Sequence, residues 1–75
     1  MTHYYKQYDY FSVSRYYKID NDGTVWIYWK GGGPDNSPPQ WVLSEDRWGY
    51  KHPEQIYASE DTWEISEGEI MLEML

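Results

Sequence analysis

The sequence predicts an α+β fold: a small antiparallel sheet of three or four strands built on a central hairpin, with a short C-terminal helix. Three observations carry this. The stretch Arg15 to Lys30, RYYKIDNDGTVWIYWK, holds two runs of β-branched and aromatic residues around Asn21-Asp22-Gly23. Ser66-Glu67-Gly68-Glu69 has the capping-box pattern just before apolar residues at helical spacing. The chain has 75 residues, which suits a single small domain (1–75), and its fourteen Tyr and Trp residues exceed its eleven Val, Ile and Leu. The core is therefore expected to consist largely of rings, many with polar tips in water. An all-β barrel or meander is the competing architecture.

The elements follow in order. Residues 3–13, HYYKQYDYFSV, place Tyr4, Lys6, Tyr8 and Tyr10 on one strand face and Tyr5, Gln7, Asp9, Phe11 and Val13 on the other. Aromatic residues fall on both faces, so the pattern assigns no burial; the stretch reads as a strand or extended arm added to the hairpin sheet. In the hairpin, Gly23 is the residue best able to take positive φ, and a three-residue loop at 21–23 makes a type I turn ending in a glycine bulge. That register pairs Ile19 with Val25, Lys18 with Trp26, Tyr17 with Ile27, Tyr16 with Tyr28 and Arg15 with Trp29. One face then carries Tyr17, Ile19, Val25, Ile27 and Trp29 and should be core. The other carries Tyr16, Lys18, Trp26 and Tyr28 and should be half exposed.

Residues 31–40, GGGPDNSPPQ, read as a flexible Gly/Pro loop. Trp41-Val42-Leu43 is the next strand. Ser44 is an expected N-cap for a single helical turn ended by Gly49, and Pro53 opens another turn. Trp48, Tyr50, Ile56 and Tyr57 are expected lids over the sheet. Thr62-Trp63-Glu64-Ile65 alternates as a strand with Trp63 and Ile65 on the core face. A helix from about Glu67 should dock a stripe of Ile70, Met71, Met74 and Leu75, since so short a helix cannot hold alone.

Charge bounds the function. The net charge is −7, and the excess lies from Ser44 onward, where Arg47 and Lys51 alone oppose nine carboxylates. This argues against nucleic acid as a direct partner, because phosphate binding needs a basic surface, and it fits a protein partner with a basic surface. There is no cysteine, hence no disulfide or thiolate metal site. No apolar run has the length of a membrane span and no secretory leader is visible, so the expected location is cytoplasmic, away from membranes.

No motif names a reaction. Asp20-Asn21-Asp22-Gly23 resembles the middle of a calcium loop, but Lys18 and Trp29 stand where the first and last ligands belong. His3 and His52 lack companion ligands, and Gly31-Gly32-Gly33 lacks the Lys-Ser/Thr of a phosphate loop. Neither enzymatic activity nor a cofactor or metal is expected. The expected function is a non-enzymatic acidic protein-binding module, of the kind that inhibits by occupying a partner's nucleic-acid-binding surface, as a viral anti-defence protein would. Its candidate binding residues are Trp48, Tyr50, Tyr57, Glu60, Asp61, Trp63, Glu64 and Glu67. The alternatives are small-ligand or carbohydrate binding on the Tyr16, Lys18, Trp26 and Tyr28 face, and a structural subunit whose exposed rings form a homo-oligomer.

Overall fold

The computed structural model describes residues 1–9, 12–34, 36–47 and 49–74, the side chains of 12–14 excepted. The chain runs β1 (His3–Asp9), β2 (Ser12–Ile19), β3 (Val25–Trp29), β4 (Gln40–Leu43), a 3-10 turn at Ser44–Asp46, α1 (Pro53–Ala58), β5 (Thr62–Ile65) and α2 (Glu67–Glu73). The strands form one antiparallel sheet in the order β4-β3-β2-β1-β5. The sheet therefore has five strands rather than three or four. β2 is its middle strand, so the hairpin is central through β2 alone.

The β2–β3 turn has the predicted register. Tyr17 faces Ile27, Lys18 faces Trp26 and Ile19 faces Val25. Gly23 N–H donates to Asp20 O at 3.0 Å and Asp20 N–H donates to Thr24 O at 3.1 Å, with Gly23 at φ +85°. Asp22 accepts from Thr24 N–H at 3.0 Å, and this local bonding holds its carboxyl below its ordinary range. The loop after β3 narrows to a bridge between Gly32 and Ser37.

Residues 3–9 form an interior strand. β1 pairs with β2 on one side and with β5 on the other, with Tyr4 opposite both Lys18 and Ile65. Tyr5, Lys6 and Gln7 are consecutive and all buried, so both faces of β1 are covered. This is why no single buried face could be read from its sequence.

The two helices lie on opposite faces. Tyr5, Tyr17, Ile19, Val25 and Ile27 share the first face and pack with Ile56 of α1, with Val42 and Tyr50 at the margin. Pro53 opens α1, where a missing N–H costs nothing, and Gln55 Oε1 accepts from the N–H groups of Lys51 and His52. The second face carries Tyr4, Lys6, Tyr16, Lys18, Trp26, Tyr28, Trp41, Trp63 and Ile65 by register. α2 covers part of it. Ser66 caps α2 by accepting from Glu69 N–H at 3.1 Å, and Ile70 is buried beneath the helix.

Four local expectations are corrected. Ser44 lies inside the 3-10 turn, where it is fully buried and donates to Tyr50 O instead of capping. Trp63 and Ile65 share the α2 face, not the main core; at the edge of the sheet Trp63 stays 53% exposed. Met71 points to solvent while Ile70 alone among the described residues of the predicted stripe is fully buried, because seven residues of helix seat only about one turn on the sheet. Tyr57 covers the sheet only at its margin: its ring contacts Tyr5 but stays 62% exposed. Leu75, Trp48, Tyr10 and Phe11, which the sequence reading also placed, lie outside the described residues.

Candidate functional site

Two of the predicted binding residues belong to an internal network around Tyr17. Tyr17 is 0% exposed and donates its hydroxyl to Gln7 Oε1 at 2.7 Å. The same hydroxyl accepts from Tyr50 N–H at 3.0 Å, and the Tyr50 ring stacks on Tyr17 at 5.9 Å. Asp61 closes the circuit: Gln7 Nε2 donates to it at 3.2 Å and Tyr50 OH donates to it at 3.2 Å, with a further bond from Ser59 Oγ. The Ser59 bond is the largest cause holding the Asp61 carboxyl below its ordinary range, with Gln7 and Tyr50 adding to it against the effect of burial. Asp61 and Tyr50 are thus committed to holding the 44–61 segment on the first face. The ring is buried at Tyr17 and Gln7 and half-buried at Tyr50 and Asp61, and every member is paired.

The rest of the acidic set remains accessible. Glu60 is exposed in the turn before β5, and Glu67 is exposed at the first position of α2. Glu64 is exposed on β5 and lies 2.6 Å from His3 Nδ1. Trp63, on the opposite face of β5 from Glu64, meets the Tyr8 ring edge-on at 4.9 Å. β5 pairs only with β1, so its other edge is unpaired among the described residues. Tyr57 lies across the sheet on α1, where its ring contacts Tyr5 at 6.2 Å. Burial, with Glu64 and Tyr57 adding, pushes the Tyr5 hydroxyl up to about 12. Glu60, Trp63, Glu64 and Glu67 thus follow one another along β5 and its two ends, with Trp63 on the α2 face and Glu64, like Tyr57, on the Tyr5 face. Trp48 lies outside the described residues.

The remaining carboxylates of α2 are engaged. The Lys6 ammonium, buried on the second face, pairs with Glu69 at 2.7 Å and with Glu73. Hydrogen bonding to these two carboxylates raises the Lys6 pKa. Glu73 also adds to the effect of burial in raising the Tyr16 hydroxyl.

The aromatic face forms one connected set. The rings of Tyr16 and Tyr28 lie 6.4 Å apart, Tyr28 and Trp41 5.4 Å, and Trp41 and Tyr4 6.1 Å. The Lys18 ammonium sits 5.3 Å from the Trp26 ring centre and 5.0 Å from that of Trp41. Trp26 Nε1 donates to Asp20 at 2.7 Å. Tyr4 and Trp41 were not among the sequence candidates. Finding them required the register of β1 and β4 against the hairpin, which no local pattern specifies.

Among the described residues no group of three or more His, Asp or Glu side chains is arranged to hold a metal ion, and no helix is long and apolar enough to cross a membrane. Comparison with protein-family models, with curated proteins and with solved structures finds no match.

Proposed function

We propose that this chain is a non-enzymatic protein-binding module that docks its β5 edge on a basic surface of a partner protein. The observation that carries the reading is Trp63: a 53% exposed indole on the edge strand β5, with exposed Glu64 next to it on the other face of the strand and exposed Glu60 and Glu67 just beyond the strand's two ends. A solvent-facing aromatic ring in a charged rim is the usual anatomy of an anchor with steering charges. The exposed pair of Glu64 with His3 is worth little in water and gives way to a stronger cation. A nucleic-acid-binding protein is the partner class that fits such a rim. Covering its basic surface would make this chain an inhibitor, acting in the cytoplasm, as a viral protein directed against a host defence would.

The aromatic face supports a second reading, small-ligand or carbohydrate binding through Tyr16, Lys18, Trp26 and Tyr28. It is the weaker reading because Lys18 already covers the Trp26 and Trp41 rings on which a sugar would stack.

The test is surface-resonance binding to the partner recovered from the native host, run across a salt series. Reversing Glu60, Glu64 and Glu67 should slow association far more than reversing Asp9, Glu45 and Asp46, and rising salt should slow the native protein in the same way. Trp63→Ala should chiefly speed dissociation. Salt-independent binding that survives the three reversals rejects the reading. Binding abolished instead by Trp26→Ala and Tyr28→Ala would transfer it to the aromatic face.

A further inference from the structure

Three of the six lysine and arginine side chains of this acidic chain line one cavity. Arg15 reaches it from β2, Lys30 from the end of β3 and Arg47 from the residue after the 3-10 turn. Ile27, Val42 and Trp29 supply its apolar lining, and its volume is about 290 Å³. The Arg47 guanidinium lies 5.5 Å from the Trp29 ring centre, which fixes both the cation and the wall.

Arg47 also donates to Asp46 O at 3.4 Å, and the other three cations have contacts of their own. Lys6 is neutralised by Glu69 and Glu73, Lys18 lies on Trp26 and Trp41, and Lys51 donates to the carbonyls of Glu45 and Arg47. Among the described residues no carboxylate pairs with Arg15, Lys30 or Arg47. The carboxylates of the described residues leave these three cations lining an apolar hollow. Like charges gathered without a counter-ion repel one another, and a partly enclosed site magnifies the effect.

We propose that this cavity binds a small phosphate monoester. The phosphate sits among Arg15, Lys30 and Arg47, and its apolar or aromatic body lies against Ile27, Val42 and Trp29. Two guanidiniums and an ammonium match a phosphate dianion better than a single carboxylate charge, and the guanidinium fork meets two phosphate oxygens at once. The volume lies at the lower end of small-molecule sites, about 300–1,000 Å³, which limits the body to roughly one ring system. A nucleic-acid strand fits less well, because the chain's net charge of −7 opposes a longer run of phosphates. The cavity lies on the opposite face of the sheet from Trp63, so the proposal does not depend on how the β5 edge is used.

The experiment is an amide-resolved NMR titration of the whole chain with four probes: phenyl phosphate, inorganic phosphate, phenylacetate and benzyl alcohol. Phenyl phosphate should give saturable shifts at 27–30 and 42–47, with inorganic phosphate weaker for want of a body and benzyl alcohol weaker for want of a charge. Arg47→Gln and Lys30→Gln should each weaken phenyl phosphate by about tenfold. Lys30 is exposed, so its variant keeps the test readable if Arg47→Gln fails to fold. Affinity should also fall as pH drops below about 6, where the phosphate loses its second charge. Three results would each overturn the proposal: no saturable shift with phenyl phosphate at millimolar concentration, phenylacetate binding equally well, or affinity unchanged in both variants.

Discussion

The two faces of one sheet are closed by different chemistry. On the first face, 44–61 is held by hydrogen bonds that converge on a single buried tyrosine, over an aliphatic cluster completed by Ile56. On the second, a seven-residue helix is held by one ammonium between two carboxylates and by one isoleucine. The lesson concerns tolerance. The first arrangement is directional and closely packed, so small changes should be felt throughout. The second rests on groups partly in water, so its loss should stay local.

The largest effect should come from the first face. Gly49 has φ +108°, and a Cβ there would lie 2.5 Å from Tyr17 OH and 3.1 Å from Arg15 Cδ. Gly49→Ala should cost about 3 kcal/mol by thermal or urea unfolding, combining strained backbone with displacement of the hydroxyl that joins Gln7 to Tyr50. A variant as stable as the parent would mean that the Tyr17 network does not hold this segment. Lys6→Met, on the second face, should cost about 1–2 kcal/mol, discounted because Glu69 and Glu73 reach solvent. Its signature should be faster amide exchange confined to α2; uniform loss of protection would erase the contrast between the faces. Ser66→Ala should cost about 1 kcal/mol through loss of the cap on the Glu69 N–H.

Titration probes the faces at the two ends of the pH scale. The Asp61 carboxyl lies below its ordinary 3.8, so its contribution is present above that value and is lost as pH falls through the folded one. The Lys6 ammonium lies above its ordinary 10.5, so its contribution is complete below that value and is lost as pH rises through the folded one. Tyr5, at about 12 against an ordinary 10.0, adds a loss on the first face between those values. Unfolding followed from pH 2 to 12 should show a plateau between these limits, and chemical shifts of Asp61 should move with the acid limb.

The hairpin was legible because its turn, its register and its buried face are all encoded within 15–30. Gly23 supplies the positive φ, and alternation sorts Tyr17 and Ile27 from Lys18 and Trp26. The α2 cap was legible for the same local reason at Ser66 and Glu69. What local pattern could not supply was the second partner of a strand. β1 has rings on both faces because both are covered, and only the pairing of Tyr4 with Ile65 reveals it. The same gap misplaced Trp63. Its alternation with Ile65 was right, but whether their shared face meets the core or α2 depends on which edge β5 joins. At the candidate site, Glu60, Glu64 and Glu67 were legible as charge, whereas Asp61 looks identical in sequence and is drawn inside by Gln7, Tyr50 and Ser59.

The placement of β1 also sets an order of events in time. Its ladder to β5 joins Tyr4 to Ile65, residues separated by most of the chain. Contacts so distant in sequence form late, and loop closure slows them. During synthesis, β1 can pair with β2 early, but its other edge waits until 62–65 have been made. Through that interval it presents an open row of backbone donors and acceptors with tyrosines on either side. A chain cut short before Thr62 would keep that edge permanently and should self-associate through it, whereas the finished chain moves its exposed edge out to β5, beside the carboxylates of Glu60, Glu64 and Glu67 that discourage such pairing.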